Sequence, residues 1–170
     1  MADLAGKHGL IVGVANKRSI SWAIAQAAAA SGARLALTYQ SERLEENVRE
    51  LAASLDNPLL LPCDVSSDQQ IADVAAACDR EFGGLDFLVL ALPHTRQTRG
   101  MIGEAELRAL PRSAFLLNPA RGAIVREEAL VQAIRDTASV LFTNIVRSLD
   151  FQERLFSFPI PGYDTRFYPT

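Results

Sequence analysis

Apolar and polar positions along this chain change period repeatedly. Residues 9–13 (GLIVG) form a short apolar run of the kind a strand buried on both faces requires. Residues 19–31 then read as an alanine-rich helix, with Ser19 placed to cap it or to offer a first-turn hydroxyl. The alternation repeats: strand 33–38, charged amphipathic helix 41–55 stopped by Asn57–Pro58, strand 59–62. Helix 67–82 opens at the Ser66–Ser67–Asp68 cluster and closes at Gly83–Gly84, and strand 86–92 follows. Beyond it, 103–109 and 126–135 read as helices, and 113–118 and 138–143 as strands.

Short strands alternating with helices need crossover connections, which make the sheet mainly parallel and cover both its faces. The expected fold is therefore α/β: a doubly wound, mainly parallel six-stranded Rossmann-type sheet with helices on both faces. Residues 1–147 form a single dinucleotide-binding domain in this reading, with an adenine half at 1–89 and a nicotinamide half at 90–147. Residues 148–170, which include SFPIPGYDTRFYPT, break the pattern and read as an irregular apolar tail.

Composition narrows the classes. One compact domain suits 170 residues, and 49% hydrophobic residues can fill a core. A net charge of −3 leaves no basic footprint for nucleic acid. Cys63 and Cys78 lack metal-ligand spacing and lie in apolar settings, so buried free thiols and no metal site are expected. MADLAGKHGL lacks the plan of a signal peptide and no apolar run reaches membrane-spanning length, so a cytoplasmic protein with no membrane partner is expected. The tail phenylalanines Phe151, Phe156, Phe158 and Phe167 would cover the sheet edge or a partner surface; in the second case a homo-oligomer would form through the tail.

The first strand-to-helix turn, GVANKRSI at 13–20, carries the candidate chemistry. A helix N-terminus offers unpaired amides and a positive dipole end to a pyrophosphate. Gly13 and Ala15 leave room for the phosphates, and Ser19 can donate a hydroxyl. The spacing is not G-x-G-x-x-G, so on spacing alone an ordinary glycine-containing loop stands beside nucleotide binding.

With LTYQ at 37–40, PCDV at 62–65 and LDFLV at 85–89, that turn makes residues 4–89 resemble an enoyl-acyl-carrier-protein reductase, a divergent short-chain dehydrogenase/reductase. The resemblance implies an NAD(H) cofactor. Gly13, Ala15, Ser19 and Ile20 would line its pyrophosphate and neighbouring groups, Gln40 would meet the adenosine ribose, and Asp64 with Val65 would hold the adenine. Other readings stay open: Asp64 as an Asx-turn residue, Gln40 as an exposed loop residue and Tyr39 as a packing residue. NADPH also stays open, since Gln40 is neutral and Arg43 is nearby.

After the fourth strand that family continues with small residues ending in glycine, whereas this chain has Ala91, Leu92 and Pro93. Ala91 and Leu92 are expected to line the cofactor. Residues 90–135, with LPHT at 92–95 and NPARG at 118–122, resemble instead the cofactor domain of D-2-hydroxyacid dehydrogenases. That resemblance implies that Pro93 and Thr95 border the cofactor and that Arg121 grips a substrate carboxylate, for which a guanidinium fork is suited. Arg126 stands where that family usually has an acid, and His94 reads as a loop residue rather than the family's later histidine. The chain then looks composite, with one divergent Rossmann protein as the alternative.

Hydride transfer also needs a proton source. No lysine follows Lys17 and no histidine follows His94, so Tyr163 and Tyr168 have no lysine after them, and Glu153 is wrongly spaced for a dehydrogenase glutamate. The leading expectation is an NAD(H)-binding domain of oxidoreductase origin with an incomplete catalytic site. The alternatives are a weakly active NADH-dependent reductase of an enoyl thioester or a 2-keto acid (a thioester or small carboxylate substrate), and a non-binding, partly folded composite or scaffold.

Overall fold

A computed structural model of the chain describes residues 3–136 and the strand 142–144. The first four strands are β1 (His8–Val12), β2 (Arg34–Tyr39), β3 (Leu59–Pro62) and β4 (Phe87–Leu90), followed by β5 (Phe115–Asn118) and β6 (Phe142–Asn144). They alternate with α1 (Ile20–Ala30), α2 (Glu42–Ala52), α3 (Asp68–Phe82), α4 (Glu104–Ala109) and α5 (Glu127–Asp136), and a 3₁₀ turn spans Gly122–Ile124. The sheet order is β3-β2-β1-β4-β5-β6, and every pair is parallel. This is the expected doubly wound arrangement.

Side-chain alternation divides the core in two. Leu10, Val12, Ala36, Leu90 and Leu116 point to the face covered by α3, α4 and α5, where Val74, Cys78, Leu107 and Leu130 meet them. Ile11, Leu35, Leu37, Tyr39 and Val89 point the other way, onto Trp22 and Ala25 of α1 and Val48 of α2. Gly9 makes room for the ring of its β4 partner Phe87: a β-carbon there would lie 2.0 Å from that ring. Both cysteines are free and buried, and burial pushes the Cys78 thiol up to about 11.

Element ends differ modestly from the sequence pattern. α1 starts after Ser19, whose hydroxyl oxygen accepts from the Trp22 amide, and α3 starts after Ser67, which accepts from the Gln70 amide. α2 ends at Ala52 rather than at 55. Beyond it Ser54 and Leu55 bond three residues back, and Asn57 turns to φ 43° before Pro58. β4 stops at Leu90, so Ala91 and Leu92 leave the sheet; the Ala91 amide still reaches the Val12 carbonyl at 3.0 Å. The sixth strand pairs with β5 at 142–144, while most of its expected span (138–141 of 138–143) and the whole tail lie outside the described residues. Glu153, Tyr163, Tyr168 and the tail phenylalanines fall there too.

Candidate functional site

In this strand order the chain reverses direction across the sheet between β1 and β4, and an open crevice is expected beyond the carboxyl ends of those strands. A cleft of about 430 Å³ lies there, within the usual size of small-molecule sites. The first turn supplies Gly13, Val14 and Ala15; Gln40 and Leu44 come from the end of β2 and from α2. Cys63, Asp64, Val65 and Ser66 follow β3, while Leu92, Pro93, Thr95, Gln97 and Thr98 follow β4.

Gly13 has φ +95°, and a β-carbon on it would lie 2.6 Å from the Ala91 carbonyl oxygen. Only glycine accepts that backbone and that approach together. Next, Asn16 accepts from the Arg18 amide at 2.8 Å and folds the segment into the helix start. Ser19 Oγ donates to the Asn16 carbonyl at 2.7 Å. The first-turn amides of Ile20 and Ser21 precede any partner within their own helix, as at every helix N-terminus.

Asp64 closes the other end of the cleft. Its Oδ1 accepts from the Ser66 amide at 3.0 Å and from the Ser66 hydroxyl at 2.8 Å, an Asx turn. Those two bonds, the amide first, hold its carboxyl below the usual carboxylate range. The Asp64 backbone amide is held by Gln70 Oε1 at 2.7 Å. Burial pushes the neighbouring Cys63 thiol up, and the Asp64 charge adds to this. Tyr39 is a packing residue, 4% exposed; burial first, then its hydrogen bond to Glu45, raises its phenol. The β4 side of the cleft is a reciprocal threonine pair: the Thr95 amide donates to Thr98 Oγ1 at 2.8 Å, and the Thr98 amide to Thr95 Oγ1 at 3.2 Å.

Of the cofactor residues expected from sequence, the structure gathers Gly13, Ala15, Gln40, Asp64, Val65, Leu92 and Thr95 around one cleft. Ala91 lies directly under Gly13 and is not among the lining residues. Ser19 and Ile20 sit at the helix start outside the lining, with the Ser19 hydroxyl proton committed to Asn16 and Ile20 62% exposed. Arg121 also stands apart: it is exposed, and its Nη1 donates to the adjacent Ala120 carbonyl at 2.9 Å. Its backbone is set by buried Asn118, whose side chain bonds the Arg121 carbonyl and the Ala120 amide. His94 is an exposed loop residue, and Arg126 donates to the Gly100 carbonyl at 2.8 Å.

Sequence reading missed Val14, Leu44, Cys63, Ser66, Gln97 and Thr98 as cleft residues. The Thr-x-x-Thr spacing, which favours reciprocal bonding, was the one signal for Thr98. Nothing in the sequence distinguished Leu44 from an ordinary core leucine. Among the described residues no helix is long and apolar enough to cross a membrane.

Fold and cleft together define a doubly wound α/β domain with a small-residue turn at its switch point. Residues 13–150 match the family model described as enoyl-(acyl carrier protein) reductase, and the chain belongs to that family. It is 49% identical over 87 residues to enoyl-acyl-carrier-protein reductase (NADH) 2 of Rhizobium meliloti, covering 51% of this chain and 32% of that protein. A Synechocystis enoyl-acyl-carrier-protein reductase (NADH) is 36% identical over 118 residues, covering 68% and 45%. The chain thus spans about a third to a half of the length of these curated relatives.

Among solved structures, the Aquifex aeolicus enoyl-acyl-carrier-protein reductase (NADH) superposes with a TM-score of 0.66 at 25% identity, covering 83% of this chain and 72% of that one. The Anaplasma phagocytophilum enoyl-acyl-carrier-protein reductase, in complex with NAD, gives 0.65 at 25% identity, covering 89% and 75%. The family match extends across residues 90–135, so the comparisons return one family where the motifs suggested a join.

Proposed function

We propose that this chain is the dinucleotide-binding portion of an NADH-dependent enoyl-thioester reductase, and that these 170 residues bind NAD(H) through the β1/β4 cleft without a complete proton-transfer site. The observation that carries this reading is the Gly13 turn, where a β-carbon would fill the space left beside the Ala91 carbonyl. The residues present fit a dinucleotide. Gly13, Ala15, Ser19 and Ile20 would receive the diphosphate at the start of α1, with Ser19 exchanging its Asn16 bond for a phosphate oxygen. Gln40 would meet the adenosine ribose, and Asp64 and Val65 the adenine. Ala91, Leu92 and Thr95 would flank the nicotinamide end. The bound nicotinamide would supply the hydride, and the chain would hold and orient it.

Within these 170 residues no lysine follows Lys17, which is why binding without turnover is the reading for this stretch. Titration of the chain with NADH, followed by nicotinamide fluorescence, should saturate; a flat titration with folded protein refutes the proposal and favours a non-binding scaffold. NADH oxidation in the presence of an enoyl thioester would overturn the incomplete-site part alone.

The NPARG segment supports a second reading. Asn118 holds the backbone of Ala120 and Arg121 at the carboxyl end of β5, on the same side of the sheet as the cleft. There Arg121 would hold the carboxylate of a 2-keto acid, as the dehydrogenase-like motif implies. Reduction of such an acid, lost in Arg121→Ala, would support it, and no oxidation of NADH with 2-keto acids would end it. The tail is proposed to mediate self-association; a mass by light scattering that stays monomeric at all concentrations would count against that.

A further inference from the structure

The β1–α1 turn is held in shape by side chains from three other parts of the chain. Thr38, in β2, is 1% exposed, and its Oγ1 accepts from the Gly13 amide at 3.1 Å while its carbonyl accepts from the Val14 amide at 2.8 Å. On the other side of the same glycine, Ser21 of α1, also 1% exposed, shares its hydroxyl proton between the Gly13 carbonyl at 3.1 Å and Ser19 Oγ at 3.0 Å. Asn47 of α2 donates from Nδ2 to the Ala15 carbonyl at 2.7 Å. None of the three side chains lines the cleft.

A glycine at φ +95° is not held there by any preference of its own, because glycine populates many backbone regions. Its position must be imposed from outside. A hydroxyl buried in the otherwise apolar strand LALTY also costs stability unless it is bonded, and the bond it makes is to this turn. Remove the hydroxyl, and a part-buried amide loses its partner where the turn must stay open.

We propose that Thr38 is a positioning residue of the dinucleotide site. With Ser21 it grips both sides of Gly13 and presets the turn for a diphosphate that it does not touch. The inference rests on the dinucleotide reading above and deepens it. Its consequence is selective: loss of the Thr38 hydroxyl weakens ligands through their diphosphate and spares contacts made at Gln40 and Asp64.

The test compares the full chain with Thr38→Val, which keeps the β-branched shape, and Thr38→Ser, which keeps the hydroxyl. NADH is titrated by fluorescence, ADP-ribose by calorimetry and adenosine by NMR shift perturbation. Thr38→Val should weaken NADH and ADP-ribose roughly five- to tenfold, the effect of one net hydrogen bond, and change adenosine less than about twofold. Thr38→Ser should restore the wild-type values. Equal losses for adenosine and NADH, or no loss for either, would overturn the proposal by reducing Thr38 to a general stabiliser or a bystander. A wild-type chain that binds no NADH sinks the dinucleotide reading and this inference with it, whereas wild-type binding with an unaffected Thr38→Val sinks only the positioning role. Should Thr38→Val fail to fold by circular dichroism, Thr38→Ala, which also removes the hydroxyl, carries the same comparison with the same overturning results.

Discussion

Asp86 joins three strands at the amino end of the sheet. Its Oδ1 accepts from Lys7 Nζ at 2.8 Å and its Oδ2 from the His8 amide at 2.9 Å, while its own carbonyl accepts from the Phe115 amide at 2.8 Å. The Lys7 bond, more than the His8 amide, holds its carboxyl below the usual range. A carboxylate with a lowered folded pKa contributes stability that is present above its unfolded value of about 4 and is lost as pH falls through the folded value. Asp64, lowered by its Ser66 bonds, acts in the same direction. Urea midpoints measured from pH 6 down to pH 2 should therefore fall through the acid range for the wild type. In Asp86→Asn the fall should be shallower, from a lower starting stability, and an identical slope would remove Asp86 from the account. Gly13→Val is the sharper residue-scale change. A strained positive φ on a branched residue, with a contact to the Ala91 carbonyl, should cost about 1–3 kcal/mol by thermal denaturation. It should also abolish NADH binding.

At the scale of elements, end signals mattered as much as periodicity. Ser19 and Ser67 were readable as helix starts because a small side-chain oxygen satisfies an amide that the helix leaves unpaired, and both make that bond here. Ser67→Ala should destabilise the domain by about 1 kcal/mol in urea unfolding. Its effect on NADH affinity should be small, although α3 follows the Asp64 loop, because Asp64 is held mainly through Ser66 and Gln70. The end of α2 was less legible. Asn57–Pro58 marks a stop, but the chain had already loosened into three-residue turns after Ala52, and no residue type announces that change. Similarly, DFLVLAL reads as one apolar strand, yet β4 ends at Leu90 because its partner β1 ends at Val12. Strand length is decided by the neighbour.

For the molecule as a whole, the cleft is the shared product of residues that follow β1, β2, β3 and β4. A ligand held by all of them should stabilise these segments together. NADH at about a hundred times its dissociation constant should add about 2.7 kcal/mol of stability, which for a chain of this size is a rise on the order of 5–10 °C in Tm. Far-ultraviolet circular dichroism and Trp22 fluorescence should shift by the same amount, since Trp22 is a buried α1 residue that packs onto the sheet. A rise seen by one probe alone would mean that the described part does not melt as one unit.

The sequence by itself determined the alternation of strands and helices and the small-residue turn after β1, because period, capping and steric room are local properties. It also carried the likeness to reductases in residues 4–89, which the family match bears out. Tertiary structure decided what local patterns cannot encode. It brought the segments after β3 and β4 to the first turn, left Arg121 and Ile20 outside the cleft lining, and turned Thr38 from a strand residue into the partner of the Gly13 amide. Those relations depend on which strands become neighbours in a parallel sheet, and that pairing is settled by burying both faces at once.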